Sequence, residues 1–206
     1  MTDTISEKKL DLLKEIGNIG TAHAATSLSQ LLNRKVDMEV PTIKVVDLSE
    51  AIEVVGGAEQ LILSVLIQIT GDIEGNMFFI LKPDQKNDFI KEAAGLKWTE
   101  SEEMFASVMN EIANVLCGSY ISALSDFTGL AMYNSVPSLA IDMAGSILSV
   151  GLVEAAMHSD QVIILDGMLS TGNAAGENFD IFILLFPDPN SFDKIFKKLG
   201  VYEIGE

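Results

Sequence analysis

A polar signature occurs twice in this chain, and each residue of the second copy stands 96 positions after its counterpart in the first. Asp11, Glu15, Asn18 and Pro41 form one copy; Ser107, Glu111, Asn114 and Pro137 form the other. Both read Asp or Ser, three residues, Glu, two residues, Asn, twenty-two residues, Pro. Three gaps of such different lengths are hard to reproduce by chance. The flanks agree as well: Glu15-Ile16-Gly17-Asn18 matches Glu111-Ile112-Ala113-Asn114, Leu28-Ser29 matches Leu124-Ser125, and Val40-Pro41 matches Val136-Pro137. Such a chain is expected to fold as one domain over 1–206, built from two internal repeats at about 6–96 and 102–203. Two repeats are too few and too long for a solenoid, so each half is expected to bury its apolar face against the other.

Composition supports a substantial core and restricts the partners. Of 206 residues, 48% are hydrophobic, and no linker rich in Pro, Gly or Ser divides the halves. The longest apolar run, Ile181–Phe186, is far short of the roughly 20 residues that span a bilayer. No signal peptide is expected, because Asp3, Glu7, Lys8 and Lys9 stand where a basic stretch and an apolar core would be. Cys117 is alone and cannot form an internal disulfide. A cytoplasmic location follows as the expectation. The net charge of −17 disfavours nucleic acid and anionic membranes, since neither attracts an acidic surface. It favours solubility, or a partner with exposed Lys or Arg.

The apolar periodicity places the signature on helices. A long helix is expected from Ser6 to about Asn33, with Leu13, Ile16, Gly20, Ser27 and Leu31 on one side. Asp11, Glu15 and Asn18 lie at i, i+4 and i+7 on roughly the opposite side. A strand follows at Val36–Val46, with Pro41 marking an edge or a bulge. A short helix at Ser49–Gly56, a hairpin of Leu61–Ile69 and Gly75–Leu81, and a helix at Asn87–Ala94 complete the half. The second half repeats the order: a helix at Ser101–Phe127, a strand around Pro137, a helix at Asp142–Ala156, strands at Gln161–Leu169 and Phe179–Phe186, and a helix at Ser191–Leu199. The class is α+β, an αβ(α)ββα unit used twice, with one mixed, largely antiparallel sheet and helices packed on it.

The repeated stripes carry the chemistry. Glu offers a fixed charge for a Lys or a metal, while Asn offers a neutral donor and acceptor that does not titrate. Asn is neither base nor nucleophile, but it can hold a water between two partners. Glu with Asn, and no His, Cys or Ser-His pair beside them, points to positioning rather than covalent catalysis. Taken singly, such residues are ordinary surface groups; the duplication is what lifts them above that. Gly17-Asn18-Ile19-Gly20 lies inside a helical pattern without the strand or Lys of a phosphate loop, so its glycines are read as permitting close packing or close approach of a partner. His23 and His158 lack ligand-spaced companions, no metal site is expected, and Cys117 is read as a small core hydrophobe.

At Glu15–Gly20, Val40-Pro41, Gly71-Asp72-Ile73-Glu74-Gly75 and the second Glu111/Asn114 helix, the chain resembles the CheC family of chemotaxis phosphatases, relatives of CheX and of the phosphatase part of FliY. The resemblance covers essentially the whole chain. Its length, its two complete signatures and the absence of a motor domain after them favour the CheC type. The resemblance implies hydrolysis of the aspartyl phosphate on the response regulator CheY. Glu15 and Glu111 would pair with the active-site lysine of phosphorylated CheY, and Asn18 and Asn114 would orient water for in-line attack. Asp11, Ser107, Pro41 and Pro137 would support the sites. No cofactor is expected in this chain; the Mg²⁺ would belong to CheY. The resemblance also implies CheD as a partner, with Asp142, Met143, Ile147 and Leu148 as a docking segment, unless that helix simply packs in the core. The rival reading is a non-catalytic adaptor for CheD or phosphorylated CheY; a part in the flagellar switch is a third. Leu116-Cys117, in place of Gly20-Thr21, is expected to crowd the second site.

Overall fold

The computed structural model describes residues 7–85, 88–89, 91, 102–155, 161–171 and 178–200. In chain order these form α1 (Glu7–Leu31), β1 (Val36–Asp47), α2 (Leu48–Val54), β2 (Leu61–Gly71), β3 (Gly75–Leu81), a 3₁₀ turn (Pro83–Gln85), α3 (Glu102–Thr128), β4 (Met132–Asn134), β5 (Ser138–Met143), α4 (Ala144–Ala155), β6 (Gln161–Thr171), β7 (Asn178–Pro187) and α5 (Pro189–Lys198). The α+β class is the one the periodicity indicated. The cap expected at Ser6 lies outside the described residues, as does most of the helix expected at Asn87–Ala94.

The seven strands make one sheet in the order β1-β6-β7-β3-β2-β4, with β5 also on β2. Every described pairing is antiparallel, so among the described residues the sheet is antiparallel throughout and not the mixed sheet expected. The halves of the chain interleave. β1 pairs with β6 from the second half, β5 pairs with β2 from the first, and β3 and β7 meet at the centre. Exchanging β1 with β4 and β5, β6 with β2, and β7 with β3 leaves the order unchanged.

Alternate strand residues point to opposite faces, and both faces are covered. One face carries Leu63, Val65, Ile67, Phe79, Ile183 and Leu185 against α1, α3 and α5, through residues such as Leu13, Ile16, Leu116 and Ile195. The other carries Ile62, Phe78, Ile80, Ile164 and Leu184 against α2 and α4, through Ala51, Val55, Ala144 and Leu148. The periodicity placed the buried row of α1 correctly at Leu13, Ile16 and Gly20. Ser27 is only half-buried, and Leu31, in the last turn, is exposed.

Both long helices end alike. Asn33 and Gly129, 96 positions apart, adopt left-handed backbones with φ of 48° and 67°. After α1, the Arg34 N–H donates to the Ser29 carbonyl at 3.1 Å and that of Asn33 to Gln30, the Schellman arrangement that satisfies the last carbonyls. The serines repeat too: Ser29 Oγ accepts from the Val36 N–H at 3.0 Å, and Ser125 Oγ donates to the Leu130 carbonyl at 2.6 Å. Each ties its helix end to the strand or loop that follows.

Each Val-Pro dipeptide sits at a one-residue bulge. Along β1 the register passes from Glu39↔Met168 to Thr42↔Asp166, and on the other edge it passes from Ile69↔Asn134 to Leu66↔Ser138. In both places the outer strand holds one residue more than its partner. Proline has no N–H to give to a ladder, so an outer strand at a bulge is where the sheet tolerates it. The expectation for Pro41 is met in both its forms, since β1 is an edge strand as well as a bulged one.

Candidate functional site

Asp11, Glu15 and Asn18 are all exposed on α1, and the helix buries Leu13, Ile16, Gly17, Gly20, Thr21 and Ala24 on the opposite side. On α3, Ser107 and Glu111 are exposed and Asn114 is half-buried, above Met109, Ile112, Ala113 and Leu116. The two helices pack against each other, and neighbours at these spacings have Cβ atoms about 5–6 Å apart. Each Glu therefore stands one turn from its Asn. No side-chain hydrogen bond or ion pair between described residues engages Glu15, Asn18, Glu111 or Asn114. Asp11 does have a partner, Lys14 Nζ at 3.5 Å, an exposed pair that sets local charge and adds little stability.

The arrangement limits the chemistry. Groups on the outer, convex face of a helix have no walls with which to enclose a small substrate. They suit a macromolecular substrate that brings its own cleft, into which a carboxylate and an amide are inserted. Among the described residues no cluster of three or more His, Cys, Asp or Glu could hold a metal. His23 is exposed, and His158 lies outside the described residues. Burial pushes the Cys117 thiol up to about 12, so it packs as a hydrophobe and is no nucleophile at neutral pH.

The glycines in Gly17-Asn18-Ile19-Gly20 serve packing. A Cβ on Gly17 would strike Ile43 Cδ1 of β1, and one on Gly20 would strike the Tyr120 ring of α3. They let α1 lie close to the sheet and to the other long helix. Gly71-Asp72-Ile73-Glu74-Gly75 is also architectural. Gly71 has φ of 119° and lies against the Ala131 carbonyl, where a side chain would collide. The Asp72 N–H donates to Ala131 O at 2.8 Å, and Asp72 Oδ2 accepts from the Ala131 N–H at 2.9 Å. Glu74 receives the Asp188 N–H at 2.9 Å and donates its own N–H to Ser191 Oγ at 2.9 Å. The hairpin thereby clasps the ends of α3 and α5.

Two expectations need correction. Leu116 and Cys117 are fully buried against the core, so they cannot crowd the outer face of α3. The group that borders that face is Asn134 of β4. Its side-chain amide lies 3.2 Å from where a Cβ on Gly118 would stand, one turn beyond Asn114. The corresponding position on α1, Ala22, is exposed. Nor does the helix expected from Asp142 begin there. Asp142 and Met143 belong to β5, opposite Ile62 and Leu61. The Ala144 and Gly145 N–H groups are taken by the Gln60 and Ala58 carbonyls, and Asp142 Oδ1 accepts from the Met143 N–H, so α4 starts at Ala144. Met143 is 53% exposed, whereas Ile147 at 8% and Leu148 at 0% are core residues under the sheet.

Sequence reasoning missed Asn134 beside the second stripe and a contact beneath the first, where Thr21 of α1 meets Tyr120 of α3 through their hydroxyls at 2.8 Å. The available signal was the mismatch at otherwise matching positions: Ala24 for Tyr120, Thr21 for Cys117, Met38 for Asn134.

The family model described as CheC-like matches residues 9–45, and the one described as chemotaxis phosphatase CheX matches residues 63–158. The CheY-P phosphatase CheC of Bacillus subtilis is 37% identical over 201 residues, 95% of this chain and 96% of that protein. Among solved structures, FliY of Thermotoga maritima superposes with a TM-score of 0.75 at 18% identity, covering 96% of this chain and 98% of that one. The middle domain of FliM from H. pylori superposes with a TM-score of 0.64 at 9% identity, covering 94% and 99%. These two establish a shared fold.

Proposed function

The chain belongs to the CheC-like family of chemotaxis phosphatases, and from this we infer that it dephosphorylates CheY-P through two helix faces, one on α1 and one on α3. It is an enzyme, a phosphatase acting on CheY-P. The observation that carries the finer reading is the repeated Glu/Asn pair on two adjacent helices, with Glu15, Asn18 and Glu111 exposed, Asn114 half-buried, and none of the four side chains engaged by another described residue. Glu15 and Glu111 each pair with the active-site lysine of the bound regulator and fix its orientation. Asn18 and Asn114 enter that regulator's cleft and hold a water in line with the phosphorus. The water oxygen bonds to phosphorus as the bond to the aspartyl oxygen breaks. Inorganic phosphate leaves and the aspartate carboxylate is restored. Mg²⁺ in the regulator neutralises the developing charge, and this chain supplies only position and electrostatics. Asp11 and Ser107 flank the stripes, and the bulges at Pro41 and Pro137 shape the outer strands beneath them. The enzyme acts where CheY is, in the cytoplasm; no described helix is long and apolar enough to cross a membrane.

The two sites stem from an internal duplication. Its support is the 96-residue offset, which recurs in the stripes, the left-handed helix ends and the Val-Pro bulges. CheD docks at the β5–α4 junction through the exposed Asp142 and Met143, while Ile147 and Leu148 hold α4 to the sheet. A Met143→Ser variant is expected to weaken CheD binding with CheY-P turnover intact; unchanged binding in a pull-down would remove that contact.

The decisive experiment follows the decay of phosphorylated CheY with Mg²⁺ present. Wild type accelerates the decay, and an Asn18→Ala/Asn114→Ala variant returns it to the intrinsic rate. If that variant still accelerates decay, water positioning by these amides is wrong; wild type that binds without accelerating would be an adaptor.

A further inference from the structure

Beneath the Asn18 stripe, α1 is held by a chain of contacts that originates on α3. The Tyr120 ring fills the space left by Gly20, where even a Cβ would strike it. Thr21 Oγ1 donates to the Gly17 carbonyl at 2.7 Å and lies 2.8 Å from the Tyr120 hydroxyl. A hydroxyl has a single proton, and that of Thr21 is used on Gly17, so Tyr120 is the donor in the second bond. The Gly17 carbonyl belongs to the peptide that joins Gly17 to Asn18. Tyr120 and Thr21 are both buried, at 4% and 7% exposure, so water does not compete for these bonds. The second helix has no counterpart. Ala24 stands opposite in the repeat to Tyr120, Cys117 to Thr21 and Ala113 to Gly17, so neither hydroxyl recurs.

We propose that Tyr120 is a positioning residue for the first site alone: resting on Gly20 and bonded through Thr21 to the Gly17 carbonyl, it fixes the helical turn from which Asn18 presents its amide. The proposal rests on the reading of Asn18 as the water-holding group. Burial pushes the Tyr120 phenol up to about 12, so it keeps the donated proton throughout the neutral range. One helix thus carries its own site and braces the site of the other.

The test uses full-length protein with one site disabled at a time. In an Asn114→Ala background, Tyr120→Phe and Thr21→Val are each expected to lower kcat on phosphorylated CheY by roughly threefold to tenfold, the loss of one buried hydrogen bond's ordering, with KM unchanged. Thr21→Ser keeps the hydroxyl and is expected to retain kcat. In an Asn18→Ala background, Tyr120→Phe is expected to change turnover by less than twofold. Thermal unfolding of each variant checks that the fold persists. An unchanged kcat in the Asn114→Ala background, a matching rise in KM, or an equal loss in both backgrounds would overturn the proposal. Continued catalysis by the Asn18→Ala/Asn114→Ala protein would instead overturn the reading of the amides, and the brace with it.

Discussion

The outer faces of α1 and α3 carry the same three polar positions, but they are backed and bordered differently. On α1 the stripe is exposed at all three positions, continues openly past Asn18 to Ala22, and is braced from within by Tyr120 and Thr21. On α3 the Asn is half-buried, Asn134 of β4 overlies the next turn, and the matching inner positions are Cys117 and Ala24. A repeated polar stripe does not require repeated packing beneath it. On the proposed function each stripe needs only a Glu and an Asn at fixed spacing, whereas the packing beneath is one shared contact that cannot be symmetric about itself: a ring as large as Tyr120 has to meet a position as small as Gly20.

The sharpest way to break this comparison is to remove the amides singly. Asn18 is both more exposed and better braced, so Asn18→Ala is expected to remove the larger share of CheY-P turnover and Asn114→Ala the smaller. Equal losses in a decay assay would mean that accessibility and bracing do not set the rate. Next in size is the packing between the helices. Gly20→Ala forces a methyl into the Tyr120 ring and is expected to cost about 1–3 kcal/mol despite the better helix propensity of Ala. Gly118→Ala meets only the end of the exposed Asn134 side chain at 3.2 Å, and is expected to hold or raise the melting temperature through a propensity gain of up to about 1 kcal/mol. Calorimetry of the pair would separate a tight seam from a loose rim.

The smallest effect contrasts the two outer edges of the sheet. Next to the bulge in β1, Thr42 faces Asp166; at the other bulge Ser138 faces Leu66. Burial raises the Asp166 carboxyl above its ordinary 3.8, Asp180 adds to the rise, and Lys44 and Lys82 oppose it. A raised folded-state value favours the neutral acid, so this group's stabilising contribution is complete below pH 3.8 and is lost as pH rises through the folded value. Asp166→Asn is therefore expected to raise the melting temperature by a small amount at pH 7, with the gain vanishing at pH values where wild-type Asp166 is already neutral. A gain independent of pH would point to something other than ionisation.

Spacing alone was enough to read both stripes, because a helix converts i, i+4 and i+7 into a face whatever it packs against. The buried row of α1 was readable for the same reason, as far as the last turn, where Leu31 is exposed. The bulges could be anticipated because proline cannot donate to a ladder. What spacing could not convey was which residues meet between elements. Tyr120 and Thr21 are 99 positions apart, and their contact exists only once two helices cross. The size of Leu116 and Cys117 suggests crowding, but their angular position, on the Met109–Ile112–Ala113 side, makes them face inward. The sequence pattern places a helix from Asp142, yet Asp142 and Met143 pair with β2 and the helix starts at Ala144.

The interleaving of the strands also governs when the molecule can come into being. β1 is finished at Asp47, but its only described neighbour in the sheet begins at Gln161. At ribosomal speeds of about 5–20 residues per second, on the order of ten seconds separates the synthesis of the two. During that interval residues 36–47 lack the strand they pair with, and Pro41 has no N–H to give to a rival ladder. The acidity of the sequence repels neighbouring copies of the nascent chain through that interval.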